Sequence, residues 1–136
     1  MDSNNHVCRT IRLLLTVTAA LEVGAGLAFL LVPGRAVWLL FGTTLDSATA
    51  IVVSRIAGAA LLSLGVASWL SRNDTQSPAT AGLITAMLLY NLAVAILLAI
   101  AALGSGLHGL LLWPGVALHT AMAVWCVNCL RPKLRQ

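Results

Sequence analysis

Five residues with side chains able to form ion pairs or hydrogen bonds interrupt otherwise apolar stretches of this 136-residue chain. They are Glu22, Arg55, Tyr90, Asn91 and His119. A lone charge is expensive in hydrocarbon, so such residues face other helices, find partners and often mark a functional site. Glu22 and Arg55 carry opposite charges, which predicts an ion pair between them. The whole set is predicted to form a buried polar cluster or a ligand-binding site.

This cluster has a structural and a functional interpretation. The ion pair either fixes the register of two helices or belongs to a polar site that binds a small molecule or handles protons. In an enzyme acting on a lipid-soluble substrate, Glu22 and His119 would serve as acid and base.

A second group, on the fourth apolar segment, has the chemistry of a soft-metal site. His119, Met122, Cys126 and Cys129 follow one another at spacings of three, four and three residues, so they share one helix face. Imidazole, thioether and thiolate bind soft cations such as Cu(I). Met and Cys also pack as adaptable hydrophobic residues, and this helix seam is the favoured interpretation. No metal site is therefore predicted.

Cys126 and Cys129 form a C-x-x-C pair, which resembles the motif of quinone-linked disulfide oxidoreductases built on four membrane helices. Those enzymes present the motif to the oxidising side and use further cysteines in loops. Here the loops contain no cysteine, and the pair is predicted to be cytoplasmic, so thiol redox chemistry is not expected. The sequence also lacks a catalytic triad, a phosphate-binding loop and a second haem ligand at the depth of His119, so no cofactor is predicted.

Composition identifies the environment of these residues. Charged residues make up 9% of the chain and apolar residues 60%, whereas a soluble domain carries about 25% charged residues. The net charge is +4, but the basic residues flank apolar runs and do not form one patch. This pattern is typical of membrane topology, so the lipid bilayer is the predicted partner and nucleic acid is not.

Four runs reach the length of about 20 residues that a membrane helix needs. They are predicted over about 12–32, 48–70, 79–103 and 110–130. The apolar segment 34–42 is too short to span and is predicted to lie at the membrane interface, with Trp38 and Arg35 at headgroup level. Pro114 either starts the fourth helix or kinks a longer one.

The ends of these helices also carry signals. Asp46 or Ser47 is predicted to cap the second span and Ser77 the third, and Gly42 should end the interfacial segment. Close contact of the first two spans is expected at small residues spaced along each helix, namely Ala20, Gly24 and Ala28 against Ser54, Gly58 and Gly65.

Basic residues predict the orientation of the chain. One side carries most of them: Arg9, Arg12, Arg72, Arg131, Lys133 and Arg135. Only Arg35 falls in a loop on the other side, so both termini and the second loop are predicted to be cytoplasmic. Short connections make consecutive helices antiparallel neighbours. The predicted fold is all-α, a single transmembrane domain over residues 1–136 folded as an antiparallel four-helix bundle.

The segment from Leu39 to Arg72 runs from Leu-Leu-Phe-Gly into Ser-Arg-Ile-Ala-Gly-Ala-Ala-Leu-Leu-Ser. It resembles a pattern in small uncharacterised bacterial four-helix inner-membrane proteins. The resemblance covers about a quarter of the chain and implies the architecture and the inner membrane, but no activity. The leading hypothesis is a non-catalytic accessory subunit or homo-oligomer, with a carrier of a small molecule, lipid or proton and a membrane enzyme as alternatives.

Overall fold

The computed structural model describes residues 2–131 of the chain, with side chains from His6 onward. This part is all-α. Its helices are α1 (Asp2–Leu31), α2 (Pro33–Phe41), α3 (Ala48–Ser71), α4 (Pro78–Gly104) and α5 (Leu112–Leu130). Met1 and the basic residues Lys133 and Arg135, which contribute to the predicted orientation, lie outside the described residues.

The helix ends follow local sequence signals. Ser47 Oγ accepts a hydrogen bond from Ala50 N at 3.1 Å, and Ser77 Oγ accepts one from Thr80 N at 3.2 Å, as the capping prediction required. Gly42 ends α2 with φ 73°, in the left-handed region that favours glycine. Two of the predicted caps and the predicted end of α2 are thus confirmed.

Helix α1 begins at Asp2, well before the predicted span over about 12–32, because no Gly or Pro interrupts the chain there. Helix α5 begins at Leu112, so Pro114 lies in its first turn. Of the two predicted alternatives, Pro114 therefore starts the fourth helix and does not kink a longer one.

Three helices are long and apolar enough to cross a membrane, within the part of the chain that the structure describes. They are α3, α4 and the His6–Leu31 part of α1. Many of their large apolar side chains are exposed, as Ile56, Leu89 and Leu97 show, which suits a lipid environment. Helix α5 has 19 residues and is not one of these three, so the fourth span remains a prediction.

Helices α1 and α3 pack through glycines. A Cβ added to Gly26 would lie 2.7 Å from Leu62 N, and one added to Gly58 would lie 2.7 Å from Leu30 N. The backbones are therefore in direct contact, as small residues permit in membrane helices. The predicted face of α3 is confirmed, since Ser54, Gly58 and Gly65 are buried.

The predicted contact face of α1 is wrong. A Cβ added to Gly24 would meet no atom within 4 Å, and both Gly24 and Ala20 are exposed. The contact runs instead along Ala19, Val23 and Gly26, which is the adjacent stripe of the same helix. Small residues occur on both stripes, so their spacing alone did not determine the rotation of α1 about its axis.

Helix α1 also contributes to the apolar core shared with α4 and α5. This core, defined by its buried members, contains Ile11, Leu14, Leu15, Ile84, Met87, Met122, Cys126 and Cys129. Leu64 of α3 packs against it. Helix α1 therefore touches α3 on one face and lies against α4 and α5 on another.

Two contacts bring loops and helix ends together. Gln76 Nε2, in the loop before α4, lies 3.5 Å from Cys8 Sγ on α1. At the opposite end of α1, Leu111 N donates to Leu39 O of α2 at 2.9 Å, and Gly109 lies against the backbone of Leu40. Helix α2 is thus attached to the loop between α4 and α5.

Candidate functional site

Glu22 is the acidic residue of the site and comes from α1. Its side chain is only 6% exposed, and its carboxyl group interacts with the Tyr90 hydroxyl on α4. Helical spacing produces this burial, because Leu15, Thr18 and Glu22 follow at intervals of three or four residues and all are buried. The contact links the two helices through a polar group that hydrocarbon would otherwise leave unsatisfied.

His119 of α5 joins the same cluster through two neighbours on α4. Its ring meets that of Tyr90 edge to face, with centroids 5.7 Å apart and an interplanar angle of 81°. His119 Nδ1 lies 2.8 Å from Asn91 Oδ1, and Asn91 Nδ2 donates to Met87 O at 2.7 Å. The amide nitrogen is thereby committed to a carbonyl, so its oxygen is the acceptor for His119. His119 then donates from Nδ1, and in a neutral imidazole Nε2 is left as an acceptor.

The structure therefore brings together four of the five residues singled out in the sequence, and they form one group. We call Glu22, Tyr90, Asn91 and His119 the polar cluster. It joins α1, α4 and α5, and in each helix the turns on either side of the cluster are apolar. Asn91 is 2% exposed, whereas Tyr90 and His119 are half-buried.

Arg55 does not belong to the polar cluster, and the predicted ion pair with Glu22 requires correction. The Arg55 side chain is exposed, and among the described residues it has no ion-pair or hydrogen-bond partner. The register of α1 and α3 explains this. Gly58 faces Gly26 and Leu30, and Gly65 faces Ala19 and Val23, so the two helices run antiparallel.

Extending that register places Leu64 level with Glu22, and Arg55 level with Leu31 at the end of α1. Arg55 is then nine residues, or ~13 Å, from Glu22 along the helix axis. Side chains also lean toward the N-terminus of their own helix, so in antiparallel helices these two point away from each other. The segment that contains α2 lies between α1 and α3 in the chain, which lets α3 begin beyond the end of α1.

The sulfur-containing residues of α5 form part of the apolar core. Met122, Cys126 and Cys129 are each at most 5% exposed and belong to the core shared with α1 and α4. His119, the fourth member of the predicted stripe, is committed to Asn91 through Nδ1. In the part of the chain that the structure describes, no three His, Cys, Asp or Glu side chains converge as they would to hold a metal ion. The geometry therefore favours the helix seam.

Two buried serines have hydroxyl groups without a hydrogen-bond partner among the described residues. The hydroxyls of Ser54 and Ser68 accept or donate no hydrogen bond within the described residues. Both lie on α3, and Ser54 shares the buried face that carries Gly58 and Gly65. Their small side chains allow the close approach of α1, which explains their presence without any chemical role.

A groove on the outside of the protein was not predicted. It lies between α4 and α5, has a volume of about 500 Å³ and is mostly apolar. Its walls include Ala95, Ala99 and Thr120, and one end is formed by Asn128 and Arg131. No member of the polar cluster lines it. The available sequence signal was the set of alanines on α4 at intervals of four residues, which leaves space beside α5.

The fold and the site define an all-α membrane protein with a polar cluster shared by three helices. Comparison with known proteins adds no assignment, since the chain matches no family model, no curated protein and no solved structure.

Proposed function

We propose that the chain is an integral protein of the bacterial inner membrane, a bundle of four antiparallel helices with both termini in the cytoplasm. Three long apolar helices and the distribution of arginines support this topology. The contact of Gln76 with Cys8 supports it further, because it joins the second loop to the N-terminal end of α1. The resemblance of Leu39–Arg72 to small bacterial inner-membrane proteins agrees with the proposed location.

We further propose that its role is non-catalytic, as a subunit of a homo-oligomer or of a complex with another membrane protein. One observation carries this proposal: Glu22, Tyr90, Asn91 and His119 are directed at one another, while the groove of about 500 Å³ lies elsewhere. A site for a substrate would combine a cavity with convergent polar groups. Here the polar groups stabilise the contact of α1 with α4 and α5.

The experiment is isolation of the full-length protein from its own membrane in mild detergent, followed by native mass spectrometry. The expected result is a stable assembly, either of several copies or with another membrane protein. The variant Glu22→Gln should have the same abundance and the same assembly mass, because its amide can still hydrogen bond with Tyr90. A monomer that retains a stoichiometric small molecule, lost in Glu22→Gln, would contradict the proposal.

A proton carrier is the second candidate, and one observation favours it. Glu22 has no cationic partner among the described residues, and Tyr90 and His119 extend from it across α4 and α5. An intramembrane carboxyl group followed by such a series of polar side chains is typical of a proton relay. This candidate predicts proton flux into vesicles reconstituted with the wild-type protein. Glu22→Gln should abolish the flux, while Asp46→Asn, at an exposed loop carboxylate, should preserve it.

A further inference from the structure

The groove between α4 and α5 has the dimensions of a hydrocarbon chain. Along α5 it extends from Val116 to Arg131, which is ~22 Å at the rise of an α-helix. The groove has a volume of about 500 Å³ and is open on its outer side. A groove of this length can accommodate one extended hydrocarbon chain.

The wall of the groove offers no polar group along its length. Thr120 is its central hydroxyl residue, and Thr120 Oγ1 donates to Val116 O at 2.8 Å, so its polarity is satisfied inside α5. Leu88, Ala95 and Val124 supply apolar surface around it. An occupant of this stretch gains only from apolar contact and shape.

One end of the groove is different. Asn128 and Arg131 form it, both are exposed, and neither side chain has a hydrogen-bond or ion-pair partner in residues 2–131. Arginine and amide groups together recognise phosphate oxygens, and arginine does so in fork geometry. An apolar channel that ends at a guanidinium without a partner among the described residues is complementary to an acyl chain joined to an anionic headgroup.

We propose that this groove binds one anionic phospholipid of the cytoplasmic leaflet, with an acyl chain along Ala95 and Thr120 and its phosphate beside Arg131. The choice of leaflet rests on the proposed topology, which places the end of α5 in the cytoplasm. Basic pockets between membrane helices on that side recognise such headgroups. The bound lipid fills the unpartnered surface between α4 and α5 and shields it from other chains.

The test titrates the purified full-length protein with dioleoyl phosphatidylglycerol and, separately, dioleoyl phosphatidylcholine, and counts bound lipids by native mass spectrometry. The wild-type protein should bind one phosphatidylglycerol with a Kd about fivefold lower than that for phosphatidylcholine, the effect of one basic residue near the headgroup. In Arg131→Gln the two Kd values should become equal. Arg12→Gln, an exposed arginine at the predicted cytoplasmic end of α1, is the matched control and should retain the preference.

A second variant tests the apolar channel. Ala95→Phe fills the middle of the groove and should weaken both lipids alike, whereas Ala59→Phe, at an exposed position of α3, should not. Circular dichroism melts check that each variant is folded. If Ala95→Phe does not fold, Arg131→Gln by itself tests the preference for an anionic headgroup. Equal binding of both lipids by the wild-type protein would overturn the proposal.

Three further results would overturn it. They are a preference that persists in Arg131→Gln, full competition by free glycerol phosphate, and a protein bound at the groove in place of lipid. Failure of the proposed topology gives a separate signal, because a reporter fused to the C-terminus would then lie outside the cytoplasm. That result would contradict the orientation, while the lipid preference would still decide whether the groove selects an anionic headgroup.

Discussion

Gly26 and Gly24 lie two residues apart on α1, yet the structure predicts opposite results when each is replaced by alanine. A Cβ at Gly26 would lie 2.7 Å from Leu62 N and 2.8 Å from Gly58 O, whereas one at Gly24 would meet nothing within 4 Å. Carbon contacts are optimal at about 3.5–4.0 Å, so Gly26→Ala must move α1 and α3 apart by roughly 0.8 Å.

The magnitudes follow from these distances. Overpacking of a close contact costs about 1–3 kcal/mol. Alanine is a better helix former than glycine by about 1 kcal/mol, which offsets part of that cost. The expected net loss for Gly26→Ala is about 0–2 kcal/mol in the free energy of unfolding, so this variant should be about 1–3 kcal/mol less stable than Gly24→Ala. Gly24→Ala incurs no overpacking and should be neutral or more stable by up to about 1 kcal/mol.

The measurement is an SDS titration of each purified variant in mixed micelles, with tryptophan fluorescence reporting unfolding. Both variants differ from the wild-type protein by one methyl group on the same helix, so hydrophobicity and micelle effects cancel. An equal loss of stability in the two variants, or a loss in Gly24→Ala alone, would refute the register in which Gly26 faces Gly58. The placement of Arg55 away from Glu22 would then lose its basis as well.

Three other substitutions test the polar cluster and the position of Arg55 outside it. Tyr90→Phe removes the hydroxyl that the Glu22 carboxyl contacts, so thermal melting in detergent should show a loss of about 1–3 kcal/mol; unchanged stability would mean that the contact contributes little. Asn91→Ala leaves His119 Nδ1 without its acceptor and should lower the free energy of unfolding by a similar amount, about 1–3 kcal/mol. Stability equal to that of the wild-type protein would contradict the 2.8 Å contact. Arg55→Gln should change stability by less than about 0.5 kcal/mol, because the side chain is exposed and has no partner among the described residues. A large loss that Glu22→Gln reverses would instead indicate an ion pair.

The sequence predicted those features that depend on a short stretch of chain. Ser47 and Ser77 cap helices because a hydroxyl three residues before a helical N–H needs no tertiary contact to act. The apolar runs predicted α1, α3 and α4 for a similar reason, since length and hydropathy suffice. The end of α2 at Gly42 could be predicted because the left-handed backbone conformation that ends a helix favours glycine.

The features that the sequence did not predict depend on how one helix sits against another. The rotation of α1 selected the stripe with Ala19 and Gly26 and left Gly24 exposed, although both stripes carry small residues. The predicted pairing of Arg55 with Glu22 was wrong because it requires two spans that begin and end at the same level. With α2 between them in the chain, α3 starts beyond the end of α1.

Recognition of Glu22, Tyr90, Asn91 and His119 as a group required only their polarity within apolar segments. Their pairing required the structure. Tyr90 was expected to be one member of a network centred on an ion pair, yet its hydroxyl is the neighbour of Glu22, and Asn91 is the neighbour of His119.

The position of α1 between α3 on one side and α4 and α5 on the other has a consequence for biosynthesis. The ribosome synthesises α1 and α3 before Tyr90 and His119. These two helices can therefore pack at Gly26 and Gly58 while Glu22 still lacks its neighbours in the polar cluster. The last half of the chain then completes the surface that the first half left polar.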